Sequence, residues 1–218
     1  MLISHRYKFI YLKTVKTAGT SIEAALEEYC LPEGHEPVPT STPAIETEAG
    51  IIGARGKKFA PGSKWRNHMS AEDVRSQVDP EVWDGYFKFC NIRNPWEKTV
   101  SWFHFENPDM KKKPQGEIFA AFRAWLRDTK TPRGLDHRVY FIDGKPAVDD
   151  VIRYDNMADD FERICAVLGV KAREIPSLKT SERGKKKIPY QRYFDLATRT
   201  RVQNMYAKQI TQYGWAFN

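Results

Sequence analysis

The stretch from Lys8 to Ser21, KFIYLKTVKTAGTS, constrains the fold more than any other. Phe9, Ile10, Tyr11 and Leu12 form an apolar, aromatic run of strand length. Thr17 to Ser21 are small or hydroxylated, and Gly19 among them is free to adopt positive φ. Ile22, Ala25, Leu26 and Tyr29 then recur at i, i+3, i+4 and i+7, one face of a helix. Thr20 with Glu23 fits a capping box. A helix start after such a loop gathers unpaired backbone N–H groups at the positive end of the dipole, which suits an anion. Lys16 adds a mobile cation, and Thr17, Thr20 and Ser21 add hydroxyl donors. The guest these donors fit is a phosphate or a phosphosulfate. The nucleotide P-loop places its lysine after the second glycine, whereas Lys16 precedes Gly19. Taken alone, the stretch fits an ordinary capped helix after a strand equally well.

The chain's 218 residues suffice for one α/β domain with a substantial core, and a single domain over 1–218 is expected. The formal charge of +7 favours acidic partners. Cys30, Cys90 and Cys165 are odd in number and far apart, which points to a reducing compartment and to no metal site. Strand-like sequence begins by Tyr7 and no apolar run reaches membrane-spanning length, so a soluble, cytoplasmic protein is expected. The oligomeric state is not legible.

From 31 to 66 the regular pattern lapses among scattered prolines, and this stretch reads as a long irregular insertion, possible acceptor-side lid or plain loop. Ser70 with Asp73 signals a helix start. Tyr86 to Arg93 reads as a second strand, parallel to the first because helices intervene. Asn94, Pro95 and Glu97 then mark a helix start. Val139–Ile142, Asp143-Gly144 and Val148–Tyr154 look like a hairpin. Asn156 with Asp159 opens the next helix and Gly169 ends it; Asp195 opens the last, which Gly214 stops. The fold class is α/β: a P-loop-like, three-layer arrangement with a central, mainly parallel sheet flanked by helices.

A second constellation lies at the end of the second strand, where open α/β sheets bind ligands. Arg93 offers a bidentate fork, and Ser101, on a shared helix face with Asn94 and Glu97/Lys98, offers a hydroxyl. Together they suit one anion such as a ribose 3′-phosphate; a structural ion-pairing arginine and an ordinary helix serine is the other reading.

The two stretches together resemble the sulfotransferases. Lys16-Thr-Ala-Gly-Thr-Ser21 is similar to that family's 5′-phosphosulfate loop, with Val15 where proline is common. Phe89-Cys-Asn-Ile-Arg-Asn-Pro-Trp-Glu-Lys-Thr-Val-Ser101 resembles its 3′-phosphate motif, with Lys98 in place of the common arginine. Asp149 to Met157, Leu178 to Arg183 and Gln209 to Phe217 resemble the family's later segments. The resemblance covers most of the chain outside 31–64 and points to the glycan-type enzymes in a compact, soluble, bacterial-like form. It implies an enzyme with 3′-phosphoadenosine 5′-phosphosulfate (PAPS) as donor cosubstrate and no metal. The implied donor site is Lys16, Thr17, Ala18, Gly19, Thr20, Ser21, Arg93 and Ser101, with Lys179, Ser181 and Arg183 from the late loop.

Sulfuryl transfer also needs charge stabilisation on the leaving phosphate oxygen, which suits Lys16, and a base for the acceptor. His68 is favoured as base because imidazole titrates near working pH and Asn67-His-Met-Ser-Ala71 resembles the family's histidine segment. His104, Glu23 and Glu27 are the other candidates, and a plain helix-entry histidine is the bland reading of His68. Lys57, Lys58, Lys64, Arg66 and Lys185–Lys187 would make a rim for an acidic glycan, or simply a solvated face. The rivals are a P-loop kinase, which would need magnesium and a Walker-type lysine, and a non-catalytic nucleotide- or glycan-binding protein on the same fold. No module supports nucleic-acid binding.

Overall fold

A computed structural model describes residues 1–56, 58–59, 61–128, 135–176, 178 and 188–218. The chain forms two compact units, Met1–Ile92 with Asp136–Lys179 and Arg93–Leu135 with Thr180–Asn218. The strands are β1 (Leu2–Ser4), β2 (Phe9–Leu12), β3 (Ile45–Thr47), β4 (Gly50–Ile52), β5 (Phe87–Ile92), β6 (Phe141–Ile142), β7 (Lys145–Pro146) and β8 (Asp150–Arg153). Helices α1 (Gly19–Leu26), α2 (Ala71–Arg75), α3 (Pro80–Gly85), α6 (His137–Tyr140) and α7 (Met157–Leu168) lie in the first unit. Helices α4 (Pro95–Glu106), α5 (Gln115–Asp128), α8 (Leu196–Met205) and α9 (Ala207–Tyr213) lie in the second.

The first unit is built on a six-stranded mixed sheet in the order β3-β4-β1-β2-β5-β8. Its core is parallel: Tyr11 of β2 sits opposite Phe89 of β5, and Asn91 of β5 opposite Ile152 of β8. The other half, β3-β4-β1, pairs antiparallel throughout and meets β2 antiparallel as well. The α/β architecture with a helix-flanked central sheet is therefore as expected. β2 is fully buried, which is why it reads as an unbroken apolar run instead of an alternation. Phe9, Tyr11 and Phe89 share one apolar cluster with Ile22 and Leu26 of α1 and with Phe161, Ile164 and Cys165 of α7. The strand-loop-helix is thus pinned to the sheet at both ends.

Three expectations are corrected here. The stretch 31–66 is not wholly irregular: it supplies β3 and β4, with Ile51 and Ile52 buried opposite Ile3 and Leu2. Strands this short carry no periodicity for a sequence to show. Asp143 and Gly144 do make the tight turn, with φ of 50° and 77°. Its second arm, however, is Lys145–Pro146, while Asp150–Arg153 pairs parallel to β5 and buries Ile152 in the core. Asn156 occupies the N-cap of α7 without a capping bond; the Asp160 carboxylate instead accepts from Arg153 N–H and Asn156 Nδ2. The caps at Ser70, Asn94 and Asp195 form as expected, and Gly169 and Gly214 take the left-handed C-cap conformation.

The second unit packs Trp96, Val100 and Phe103 of α4 against Ile118, Phe122 and Leu126 of α5, with Tyr193, Phe194 and Val202 completing the cluster. Among the described residues no helix is long and apolar enough to cross a membrane.

Candidate functional site

The loop between β2 and α1 turns by left-handed backbone at Lys16 (φ 59°) and Ala18 (φ 63°). Such conformations cost a residue with a Cβ about 1–2 kcal/mol each, so the surroundings must hold them. Gly19 does not supply the positive φ expected of it. It opens α1, and a Cβ there would lie 2.9 Å from Lys13 Cγ and 3.1 Å from the Tyr11 hydroxyl. The capping box is also absent: α1 starts at Gly19 with Ala18 as its uncapped N-cap, so Thr20 lies inside the helix and Glu23 turns inward.

Neutral hydrogen bonds hold the loop to β5. Thr14 Oγ1 donates to Asn91 O at 2.6 Å and lies 2.7 Å from Thr17 Oγ1. The Asn91 amide donates to Thr17 O at 3.2 Å and accepts from the Tyr11 hydroxyl at 2.7 Å. The Asp136 carboxylate accepts Val15 N–H at 3.0 Å. Thr17 is buried, and its hydroxyl is committed inward to Thr14 and not to a ligand. Ser21 is also buried; its Oγ accepts Leu178 N–H at 3.3 Å, leaving the hydroxyl proton to donate. That bond brings Leu178 to α1. Lys179, Ser181, Arg183 and Lys185–Lys187 lie outside the described residues, as does Lys57.

The backbone N–H groups of Thr17, Ala18, Gly19 and Thr20 donate to no acceptor among the described residues. They cluster at the N-terminal end of α1, with Lys16 and Thr20 half-exposed beside them. This donor set fits a phosphate or phosphosulfate group.

Charged groups hold the loop on its other side. The buried Lys13 ammonium pairs with Glu23, and Glu23 also receives the Met1 amino nitrogen at 2.7 Å and Arg55 Nε at 3.5 Å. Arg55 Nη1 pairs with Glu27 at 2.7 Å, and Glu27 also accepts Val38 N–H. Burial opposes ionisation of Glu23, but the Met1 ammonium, Lys13 and Arg55 outweigh it and lower its pKa to about 2. Glu23 and Glu27 are therefore committed to ion pairs, in contrast to the open lone pair a base needs.

His68 has such a lone pair. Its Nδ1 lies 2.9 Å from Lys13 O. A carbonyl only accepts, so Nδ1 carries the proton and Nε2 is the acceptor, with no partner among the described residues. The residue is exposed, and the Nδ1 side of its ring is covered by Lys13 O. Desolvation, with the Lys13 and Met1 charges adding to it, lowers its pKa to about 4. Because the exposed edge retains water, the consequence that matters is a neutral ring at pH 7. His68 is also left-handed, at φ 60°, a strained conformation for a helix-entry residue with no other task.

In the second unit, Arg93 directly follows β5 and is buried, with Nη2 2.8 Å from Glu97 Oε1. Ser101 is half-buried on α4, and Lys98 stacks its ammonium 5.7 Å from the Tyr206 ring. An incoming phosphate at Arg93 would share the guanidinium with Glu97. His104 Nε2 lies 2.9 Å from the Tyr193 hydroxyl. Of the basic rim, Arg66 pairs with Asp73 at 3.4 Å, and Lys64 lies 4.8 Å above the Trp65 ring.

Sequence reasoning passed over Lys13, Asn91, Arg55 and Asp136. The first two carried a signal: a lysine closing an apolar strand, and an asparagine inside another, need buried partners. Arg55 and Asp136 stand in segments without periodicity and gave none.

A family model described as "Sulfotransferase family" matches residues 1–215. A curated protein of Archaeoglobus fulgidus, described as "Uncharacterized protein", is 27% identical over 105 residues, 47% of this chain and 83% of its own length. No solved structure matches.

Proposed function

Because this chain belongs to the sulfotransferase family, we propose that it moves a sulfuryl group from PAPS to a hydroxyl or amine of a carbohydrate, with His68 as base. The observation that carries this reading is the bond from His68 Nδ1 to Lys13 O. It ties a neutral imidazole, with Nε2 open, to the residue that begins the anion-binding loop.

The loop amides of Thr17 to Thr20, with the Ser21 hydroxyl and Lys16, would hold the 5′-phosphosulfate; the motif assigns the 3′-phosphate to Arg93 and Ser101. PAPS supplies the transferable sulfuryl group and leaves as adenosine 3′,5′-bisphosphate. His68 Nε2 takes the acceptor's proton. The Lys16 ammonium and the preorganised N–H groups stabilise charge growing on the departing oxygen, at no cost of reorganisation. The net charge of +7 supports an acidic glycan as acceptor.

The test is a transfer assay with sulfate-labelled PAPS across polysaccharides, glycolipids, small alcohols and tyrosine peptides. Label appearing on a uronic-acid glycan is the expected result. Label on peptide alone would move the acceptor class, and no transfer to any class, with PAPS bound, would leave a binding protein. Lys16→Ala should depress single-turnover rate more than donor affinity. A loss confined to affinity would make Lys16 a binding residue only.

A further inference from the structure

Two separate pieces of the chain hold His68, and one buried carboxylate touches both. From one side the Lys13 carbonyl fixes Nδ1. From the other, Asn67 N–H donates to Ala54 O and Ala54 pairs in a bridge with Arg66, which ties the residues preceding His68 to the residue beside Arg55. Glu23 reaches the side chains of both supports, Lys13 and Arg55. The Lys13 side chain has little room to move: its Cγ would lie 2.9 Å from a Cβ on Gly19, and its ammonium is held by Glu23. Arg55 is likewise buried between Glu23 and Glu27.

We propose that Glu23 is a positioning residue for the reaction: by clamping Lys13 and Arg55 it holds the Lys13 carbonyl against His68 Nδ1 and so keeps Nε2 as the proton acceptor. This rests on the reading of His68 as base, but the geometry it explains can be measured without turnover. An imidazole released from the carbonyl would redistribute its proton between the two nitrogens, and each molecule with the proton on Nε2 could not act as base. The arrangement resembles the general device of a carboxylate orienting a catalytic histidine, with one difference. Here the carboxylate works through a lysine whose own main chain makes the contact.

The experiment uses the full chain carrying ¹⁵N-labelled histidine. Nitrogen shifts of His68 report which ring nitrogen holds the proton, and calorimetry with adenosine 3′,5′-bisphosphate reports whether the loop is folded. In the unsubstituted protein His68 should show a single form protonated on Nδ1. Glu23→Gln should shift it to a mixture of both forms, with bisphosphate affinity within about threefold of the original. Removing one partner of a buried pair can unfold a protein, so the double variant K13M/E23M, which leaves neither of these two charges unpaired, is made beside it. It should show the same mixture. Retention of the single Nδ1–H form in either folded variant overturns the proposal, as does failure of both variants to fold, which would assign Glu23 to folding alone. Where His68→Ala retains transfer activity, the base assignment falls while the tautomer result stands, so the two failures are distinguishable.

Discussion

The loop between β2 and α1 rests on two supports of opposite character. On the parallel side, toward β5, the contacts are neutral hydrogen bonds exchanged by Thr14, Thr17, Asn91 and Tyr11. On the antiparallel side the side chains of Lys13, Glu23, Arg55 and Glu27 are joined by ion pairs. Neutral buried hydrogen bonds contribute about 0.5–1.5 kcal/mol each, so the first support fixes the loop's shape and adds stability. A buried ion pair often gains nothing over apolar residues of the same volume, although Glu23, once buried among these cations, is stabilised by ionising. What the second support adds is orientation and field, at the side where His68 meets Lys13 O. In the proposed reaction, binding geometry would come from one side of the loop and proton chemistry from the other.

The strongest break in this division is His68→Ala. Turnover should fall by roughly 10²–10⁴-fold, the usual contribution of a general base. Affinity for adenosine 3′,5′-bisphosphate should hold, because the neutral support is untouched. The acid limb of kcat/KM reports the free enzyme, and should lie below the ordinary imidazole value of about 6.5, toward the lowered value of about 4. It should vanish in the variant. Substantial activity in His68→Ala, with loss in Glu27→Ala or His104→Ala, would place the base elsewhere.

Next in size is the pH dependence of stability, which reads the ionic support alone. Glu23 has its pKa lowered to about 2 in the folded state from an ordinary 4.5. By linkage that difference is about 3 kcal/mol, present above pH 4.5 and lost as pH falls toward about 2. His68 acts earlier and in the same sense. Between its unfolded value of 6.5 and about 4 the unfolded chain binds a proton that the folded chain does not, so stability falls as pH falls. Urea unfolding from pH 7 to pH 3 should show both windows. Glu23→Gln should flatten the lower and His68→Ala the upper. An unchanged profile in both would mean that neither group titrates as assigned.

Arg93→Ala tests the second unit. Donor affinity should fall by about 1.5–3 kcal/mol, the range for hydrogen bonds to charged groups. Calorimetry with AMP beside adenosine 3′,5′-bisphosphate sharpens the result. Equal affinity of the unsubstituted protein for the two would remove the 3′-phosphate role.

The parts of this molecule that follow local rules were legible. A strand, a loop of small residues and an amphipathic helix are found where the pattern puts them, and Ser70, Asn94 and Asp195 cap the helices their neighbours suggested. What misled was tertiary. Thr20 and Glu23 satisfy the capping rule, yet Glu23 is taken by Lys13 and Arg55, partners from other segments, and burial beside them outweighs a cap. Glycine's freedom points to left-handed backbone at Gly19; Lys16 and Ala18 adopt it instead, in a loop held by Thr14, Asn91 and the α1 packing. The strands β3 and β4 stayed hidden because their pairing with β1, not their own pattern, makes them strands.

The smallest expected effect compares two helix-start glycines. In a helix, replacing glycine by alanine ordinarily stabilises by about 0.4–1 kcal/mol, because the unfolded chain loses freedom. Gly116, in the first turn of α5, has nothing within 4 Å of a built Cβ, so Gly116→Ala should show that gain. Gly19 is likewise in the first turn of its helix, α1, but its Cβ would press on Lys13 Cγ at 2.9 Å. A flexible lysine would move aside. Lys13 is clamped at its ammonium by Glu23, so the strain falls on the loop, at about 1–3 kcal/mol for overpacking. Gly19→Ala should therefore be destabilising on balance, by about 1 kcal/mol, a fall in Tm of about 2–4 °C for a chain of this length. Thermal unfolding of the two variants side by side decides it. If Gly19→Ala gains stability as Gly116→Ala does, Lys13 has room to move and the ionic support is looser than its contacts imply.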